Sequence, residues 1–119
     1  MSIQLQTELG KIHVSPEVIS VLAGSAALEC YGLVGMASRK QLMDGIAELL
    51  GKENLSRGVE IRQEQELVKL DLYIVVSYGI KISEVARSVQ TKVKYMLSEV
   101  AGIHVDEINI IVQGVRISP

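Results

Sequence analysis

The sequence of 119 residues contains no tryptophan and no phenylalanine, and four tyrosines are its only phenol or indole rings. A platform that stacks nucleic-acid bases is therefore poorly supplied, and the core has to be built from Val, Ile and Leu. One cysteine, Cys30, excludes an internal disulfide framework and fits a reducing compartment. No apolar run approaches the ~20 residues needed to cross a bilayer. The opening "MSIQLQTELGK" is polar and alternating, without the apolar centre of a signal peptide. A cytoplasmic protein is expected, with any membrane association arising through a partner and no direct insertion. Charge of one sign is also scarce: a formal net charge of −2 argues against a dedicated nucleic-acid binder.

What is present is a single domain's worth of aliphatic patterning over 1–119. "GKIHV" (10–14) alternates as a short strand. Ser15-Pro16 is a helix start, a hydroxyl cap followed by proline at the first helical position. The helix is expected to run to Tyr31 and close at Gly32. "LVGMA" reads as a strand or a buried connection. "RKQLMDGIAELLGK" (39–52) suggests a shorter helix, weakened by Gly45, and "ENLSRG" a loop.

"GVEIRQE" (58–64) and "LVKLDLYIVVSY" (67–78) form a β-hairpin across a polar turn. In the second strand Val68, Leu70, Leu72, Ile74 and Val76 face one way; Lys69, Asp71, Tyr73, Val75 and Ser77 face the other. Gly79 lets the chain leave this strand, and Ser83 is placed to cap a helix over about 83–101. That helix has an apolar stripe of Val85, Ala86, Val89, Val93, Leu97 and Val100. Gly102 ends it, and "IHVDEINIIVQGVRI" supplies a last strand. "GKIHVSPEV…ECYGL" and "GIKISEV…EVAGI" repeat one grammar: glycine, extended piece, serine, helix, Glu-x-x-Gly. The expected fold is α/β (α+β): a two-layer sandwich of split-βαβ type with a mixed sheet of about four strands. Its helices lie on one face, and two strand–helix–strand halves share the sheet.

Catalytic and ligand motifs do not assemble. Gly45 to Gly51-Lys52 misses P-loop spacing by one residue, and Glu53 stands where the magnesium-binding hydroxyl belongs. Gly32-Leu33-Val34-Gly35 matches the bare GxxG of KH domains, but Leu33 and Val34 are apolar where a nucleic-acid clamp is usually polar or basic. His13 and His104 read as solvated or rim side chains; Asp106 and Glu107 near His104 leave a metal set incomplete. Cys30 reads as a small core residue without a base to activate it, and Ser77 and Ser83 lack a nucleophile elbow. No catalytic residue, metal or cofactor is assigned.

Two surfaces stand as interaction candidates. Arg39, Lys40, Lys52 and Arg57 could gather into a basic patch, although Asp44, Glu48 and Glu53 are interleaved with them. The other is the outward sheet face. Tyr73 and Val75 lie there on one strand; Asn109, Ile111, Gln113 and Val115 follow on the last if Ile108, Ile110 and Val112 point inward.

The blocks "GKIHVSPEVISVLAGSAALECYGLVGM", "LLGKENLSRGVEI", "VKLDLYIVVSYGIKISEVARSVQTKVKYMLSEVAGIHV" and "INIIVQGVRI" run from about Gly10 to Arg116. Together they resemble the alkaline-shock-protein family of envelope stress response proteins, in its short members from Gram-positive bacteria. The chain departs from the usual pattern at Cys30-Tyr31, where Val-Pro or similar is favoured, and at Ala101, where Thr is frequent. The resemblance implies a non-enzymatic protein of cell-envelope homeostasis with no cofactor. It further implies an adaptor or self-associating scaffold, a homo-oligomer whose protein partners include a membrane-anchor protein or a fatty-acid-kinase-like protein. The alternatives are a KH-like nucleic-acid-binding module and a small-molecule or lipid-binding accessory protein.

Overall fold

The most regular alternation in the sequence becomes the central strand. In the computed structural model, which describes residues 3–38 and 49–117 (without the side chains of 52 and 53), this strand is β5, Leu67–Ser77. Before it come β1 (Ile3–Thr7), β2 (Gly10–Val14), α1 (Pro16–Leu28), β3 (Leu33–Met36) and β4 (Val59–Glu64). After it come α2 (Ile82–Ala101) and β6 (Glu107–Arg116).

β5 is paired on both edges. β4 lies antiparallel to its first half, from Glu64↔Leu67 to Val59↔Leu72. β3 takes the same edge further on, from Met36↔Ile74 to Leu33↔Val76. Along the other edge β6 runs parallel, from Lys69↔Glu107 to Ser77↔Arg116, with a register shift after Ile74↔Val112 that leaves Gln113 as the extra residue. The result is the expected mixed four-stranded sheet. The hairpin loop is Gln65-Glu66, and Gln65 takes the positive φ of 59° that a two-residue loop requires at its first position.

Helix formation is equally local in origin. Ser15 accepts a hydrogen bond from the Val18 amide at 3.3 Å and Pro16 occupies the first turn, which satisfies one of the amides a helix start leaves unpaired. Gly102 closes α2 in the left-handed region (φ 67°), with amides 102 and 103 returning to Ser98 and Leu97. Both helices lie over the face of β5 that presents Val68, Leu70, Leu72, Ile74 and Val76. α1 contributes Ile19, Ala23, Ala26 and Ala27 to that core, and α2 contributes Val85, Val89, Val93 and Leu97. Small residues let α1 sit close. A Cβ on Gly24 would come within 3.2 Å of Leu55, in the 3-10 turn Lys52–Gly58.

Several expectations shift. The two strand–helix–strand halves do not share one sheet: β2 pairs with β1 in a separate ribbon, from Ile3↔Val14 to Thr7↔Gly10. A tight hairpin closes a much shorter loop than joining the main sheet would, and the polar alternation at the N-terminus supplies the partner. In the second half β5 and β6 are direct neighbours. α1 stops at Leu28 with Glu29 as its cap, short of Tyr31, and Gly32 (φ 90°) serves the entry to β3. Lys81, not Ser83, occupies the cap position of α2, and no side chain bonds there. Val100 is exposed, because the last turn of α2 reaches past its buried row. "ENLSRG" is part of the 3-10 turn. The helix expected over 39–52 lies outside the described residues up to 48. Leu49 and Leu50 are extended there, bridging Ala37 and bonding the Met36 carbonyl.

Two glycines with nearly equal φ separate steric from conformational demand. Gly32 (φ 90°) has Ile80 and Val85 methyls 2.8 Å from where a Cβ would stand; Gly79 (φ 88°) has nothing within 4 Å. Gly79→Ala is expected to cost about 1–2 kcal/mol from backbone strain alone. Gly32→Ala adds an overpacking cost of about 1–3 kcal/mol. Urea unfolding of the two variants measures the gap; equal losses would show that the packing around Gly32 yields freely.

Candidate functional site on the outer face of the sheet

The odd-numbered side chains of β5 point away from the helices, and register fixes what stands beside each. Asp71 lies between Glu60 and Asn109, Lys69 between Arg62 and Glu107, and Tyr73 beside Ile111. A charged residue in the middle of an apolar strand needs partners, and this face supplies them. Arg62 reaches diagonally to Asp71 in a two-pronged contact, Nε to Oδ2 and Nη2 to Oδ1, both at 3.1 Å. Asn109 donates from Nδ2 to Asp71 Oδ1 at 2.9 Å and to Glu107 Oε2 at 3.0 Å. Lys69 holds Glu64 at 2.8 Å.

The electrostatics follow from burial set against charge. Asp71 is only 9% exposed, and that desolvation alone would push its carboxyl up. The hydrogen bonds from Arg62 and Asn109, with the guanidinium's charge, outweigh it and hold Asp71 below the usual carboxylate value. The bond to Asp71 pushes Arg62 up in turn. At the open rim the bond from Lys69, with its charge, draws Glu64 down.

Beyond the network the face turns apolar. Tyr73 and Ile111 are a half-buried cross-strand pair. Of the six residues expected on this face, Tyr73, Asn109 and Ile111 are brought together and remain partly accessible. Val75 is corrected: it is 1% exposed and packs with Ala37 and Tyr73, because the Ala37 amide bonds the Tyr73 carbonyl and draws the chain across. Gln113 sits at the irregularity of β6 and donates to the Ser38 carbonyl at 3.4 Å. Val115 differs from the expectation in register alone: the extra residue pairs it with core-facing Val76, and it stays 47% exposed.

The remaining candidates disperse. Arg39 and Lys40 lie outside the described residues, as does the side chain of Lys52; Arg57 is exposed on the 3-10 turn. The GxxG string lies in and at the entry to β3, not in a clamp loop between helices. His104 meets Asp106 at 3.3 Å, while the other Asp106 oxygen accepts the Val68 amide. Among the described residues no three metal-ligating side chains converge. Burial pushes the Cys30 thiol up, against the lowering effect of Lys92, opposite to what an attacking thiolate needs. A shallow groove between the helices, lined by Cys30, Arg87, Thr91 and Tyr95, escaped sequence reading because it depends on how α1 and α2 pack. The Arg62–Asp71 contact had a usable signal. Once the hairpin turn is fixed, the two positions are diagonal neighbours on one face.

Helices on one side and a polar-to-apolar sheet face on the other define a two-layer α+β protein whose distinctive chemistry is on its open layer. The sequence model of the alkaline shock protein family, described as having cell envelope-related function, matches residues 4–117, and the chain belongs to that family. YloU of Bacillus subtilis is 58% identical over 118 residues, 99% of this chain and 98% of the relative. Spy1614 of Streptococcus pyogenes is 38% identical over 117 residues, covering 98% and 97% of the two chains. YqhY of Bacillus subtilis is 37% identical over 110 residues, covering 92% and 80%. No solved structure matches. Among the described residues no helix is long and apolar enough to cross a membrane.

Removing the central carboxylate tests the network. Asp71→Asn is expected to destabilise the fold by about 1–3 kcal/mol, since hydrogen bonds to a charged group are lost. Because the folded-state pKa of Asp71 is lowered, its contribution is complete above the unfolded value of about 3.9 and is lost as pH falls through the folded value. Urea midpoints from pH 6 down to 3 should therefore fall less steeply for Asp71→Asn than for the parent chain; parallel slopes would remove Asp71 from the acid response.

Proposed function

We propose that this envelope-related protein is a non-enzymatic adaptor or self-associating scaffold that acts on the cytoplasmic side by protein–protein contact. Its membrane association would come only through a partner. The observation that supports this most directly is the outer sheet face: a rigid, register-locked surface with a charged network at one end and the Tyr73–Ile111 pair at the other. Cross-strand pairing and the two-pronged Arg62–Asp71 contact hold its side chains in place before any partner arrives, which lowers the ordering cost of association. The whole chain from 1 to 119 is taken as the working unit, and the partner as a protein, of the membrane-anchor or fatty-acid-kinase-like kind that the family resemblance implies.

A second reading, a small-molecule or lipid-binding accessory, has one observation in its favour. The groove between α1 and α2 is lined mainly by apolar surface, with the cation of Arg87 at its side and Lys92 engaged by Glu29 at 3.4 Å. The KH-like alternative loses its one motif to a strand.

Tyr73→Asp combined with Ile111→Asp tests the adaptor reading. With the folded far-UV signal retained, crosslinking and co-purification from the native host should recover the envelope-associated partner about tenfold less well than with the parent chain, as expected when central apolar contacts are lost. Undiminished recovery would remove this face from the account. Native mass spectrometry of host-purified protein checks the second reading by the presence or absence of a retained ligand.

A further inference from the structure

The two edges of the main sheet are finished differently. On β4 the charges Glu60, Arg62 and Glu64 alternate along the strand, a pattern that blunts an edge against further pairing. On β6 no charge occurs from Ile108 to Val115, and the only charged residues are the terminal ones, Glu107 and Arg116. Among the described residues β6 pairs with β5 alone. A long uncharged strand with no strand along its outer edge is a template for another strand.

Backbone direction along β6 can be assigned residue by residue. The Val68 amide and carbonyl both bond Asp106, and the Tyr78 amide bonds the Arg116 carbonyl. Even-numbered residues of β5 thus turn their backbone toward β6, and on β6 residues 107, 109, 111, 114 and 116 turn theirs toward β5. Ile108, Ile110, Val112 and Val115 turn theirs to the open edge. The Ile108 carbonyl there takes a hydrogen bond from Gln90 Nε2 at 2.9 Å.

We propose that this edge pairs with the same edge of a second copy, β6 against β6 in antiparallel register about a two-fold axis at Ile111. The proposal rests on the self-associating form of the function above and names its surface. Three features select a copy of the same strand. Ile110 meets Val112 of the second copy and Ile108 meets Val115, so every hydrogen-bonded pair uses backbone groups that already face outward. The extra residue, Gln113, offsets the register by one, which keeps core-side residues opposite core-side residues and outer-face residues opposite outer-face residues on both sides of the axis. The same offset brings Glu107 opposite Arg116 at both ends, so the pairing closes on two opposite-charge contacts. An isologous contact of this kind gives a closed dimer with one sheet continuous across it.

Disulfide trapping tests the register. At the axis Ile111 faces its own copy in a non-hydrogen-bonded pair, where Cα atoms stand about 4.5 Å apart, within disulfide reach. In a Cys30→Ser background, Ile111→Cys is expected to form a covalent dimer under mild oxidation, while Tyr95→Cys, exposed on the helical layer, does not. Sedimentation equilibrium supplies the second readout: Arg116→Glu raises the dimer dissociation constant about fivefold through two lost pairs, and adding Glu107→Arg restores it. Equal trapping at 111 and 95, or a parent chain that stays monomeric at all concentrations, overturns the edge pairing. Oligomers that survive without trapping at 111 also overturn this register but leave a self-associating scaffold standing. Trapping at 111 in a chain that captures no host protein supports the edge and counts against the adaptor.

Discussion

Everything in this molecule is arranged around satisfying one strand on all sides. β5 has hydrogen-bonding partners on both edges and buried side chains along its inner row, and even its outer row contains Asp71 and Val75 in buried positions. Along one edge of its eleven residues β4 and β3 share the pairing in tandem, while β6 alone follows the other. That division sets where the chain must turn, where the 3-10 segment crosses back, and why Gly58 is tolerated only as glycine: a Cβ there would stand 2.8 Å from the Ala37 carbonyl. A one-residue slip of β5 would invert both rows at once, so its register is held from both sides and from above.

How much of this was legible before the structure depends on whether the deciding interactions were local. The alternation of β5, the Ser15-Pro16 helix start, the two-residue hairpin and the Gly102 cap all draw on residues within a few positions of each other, and all are found. The features that escaped depend on distant chain. β1 is polar enough to pass for a tail and becomes a strand only because β2 lies a tight turn away. Ser83 had the right chemistry for a cap but stands two positions too late, Lys81 having taken the place. Val75 looked outward by parity, and parity was correct; its burial comes from Ala37, nearly forty residues earlier, which no periodicity reports. The extra residue at Gln113 likewise has no local mark, yet it decides which way Val115 points.

The candidate site shows the same boundary. Tyr73, Asn109 and Ile111 could be placed on one face from strand parity alone. The charged half of that face could have been reached by asking how Asp71 is tolerated in the middle of an apolar strand. A buried carboxylate is maintained only with hydrogen-bonded, oppositely charged company, and the hairpin register puts Arg62 diagonal to it. What parity could not give is the gradient along the face, from fixed charge to an apolar pair, which makes it directional as well as flat.

The crossover from β5 through α2 to β6 also governs the order in which the molecule can be completed. β3, β4 and both partners' side chains are available as soon as β5 has been synthesised, but the parallel edge stays bare until the whole of α2 and the segment after it have followed. For that interval the central strand is a half-paired, strongly apolar template, held only from one side and roofed by a helix still in production. Non-local parallel pairing of this kind is slow and exposed to misassociation. The late arrival of β6 makes the emerging chain, more than the finished one, the form of this protein that most needs protection.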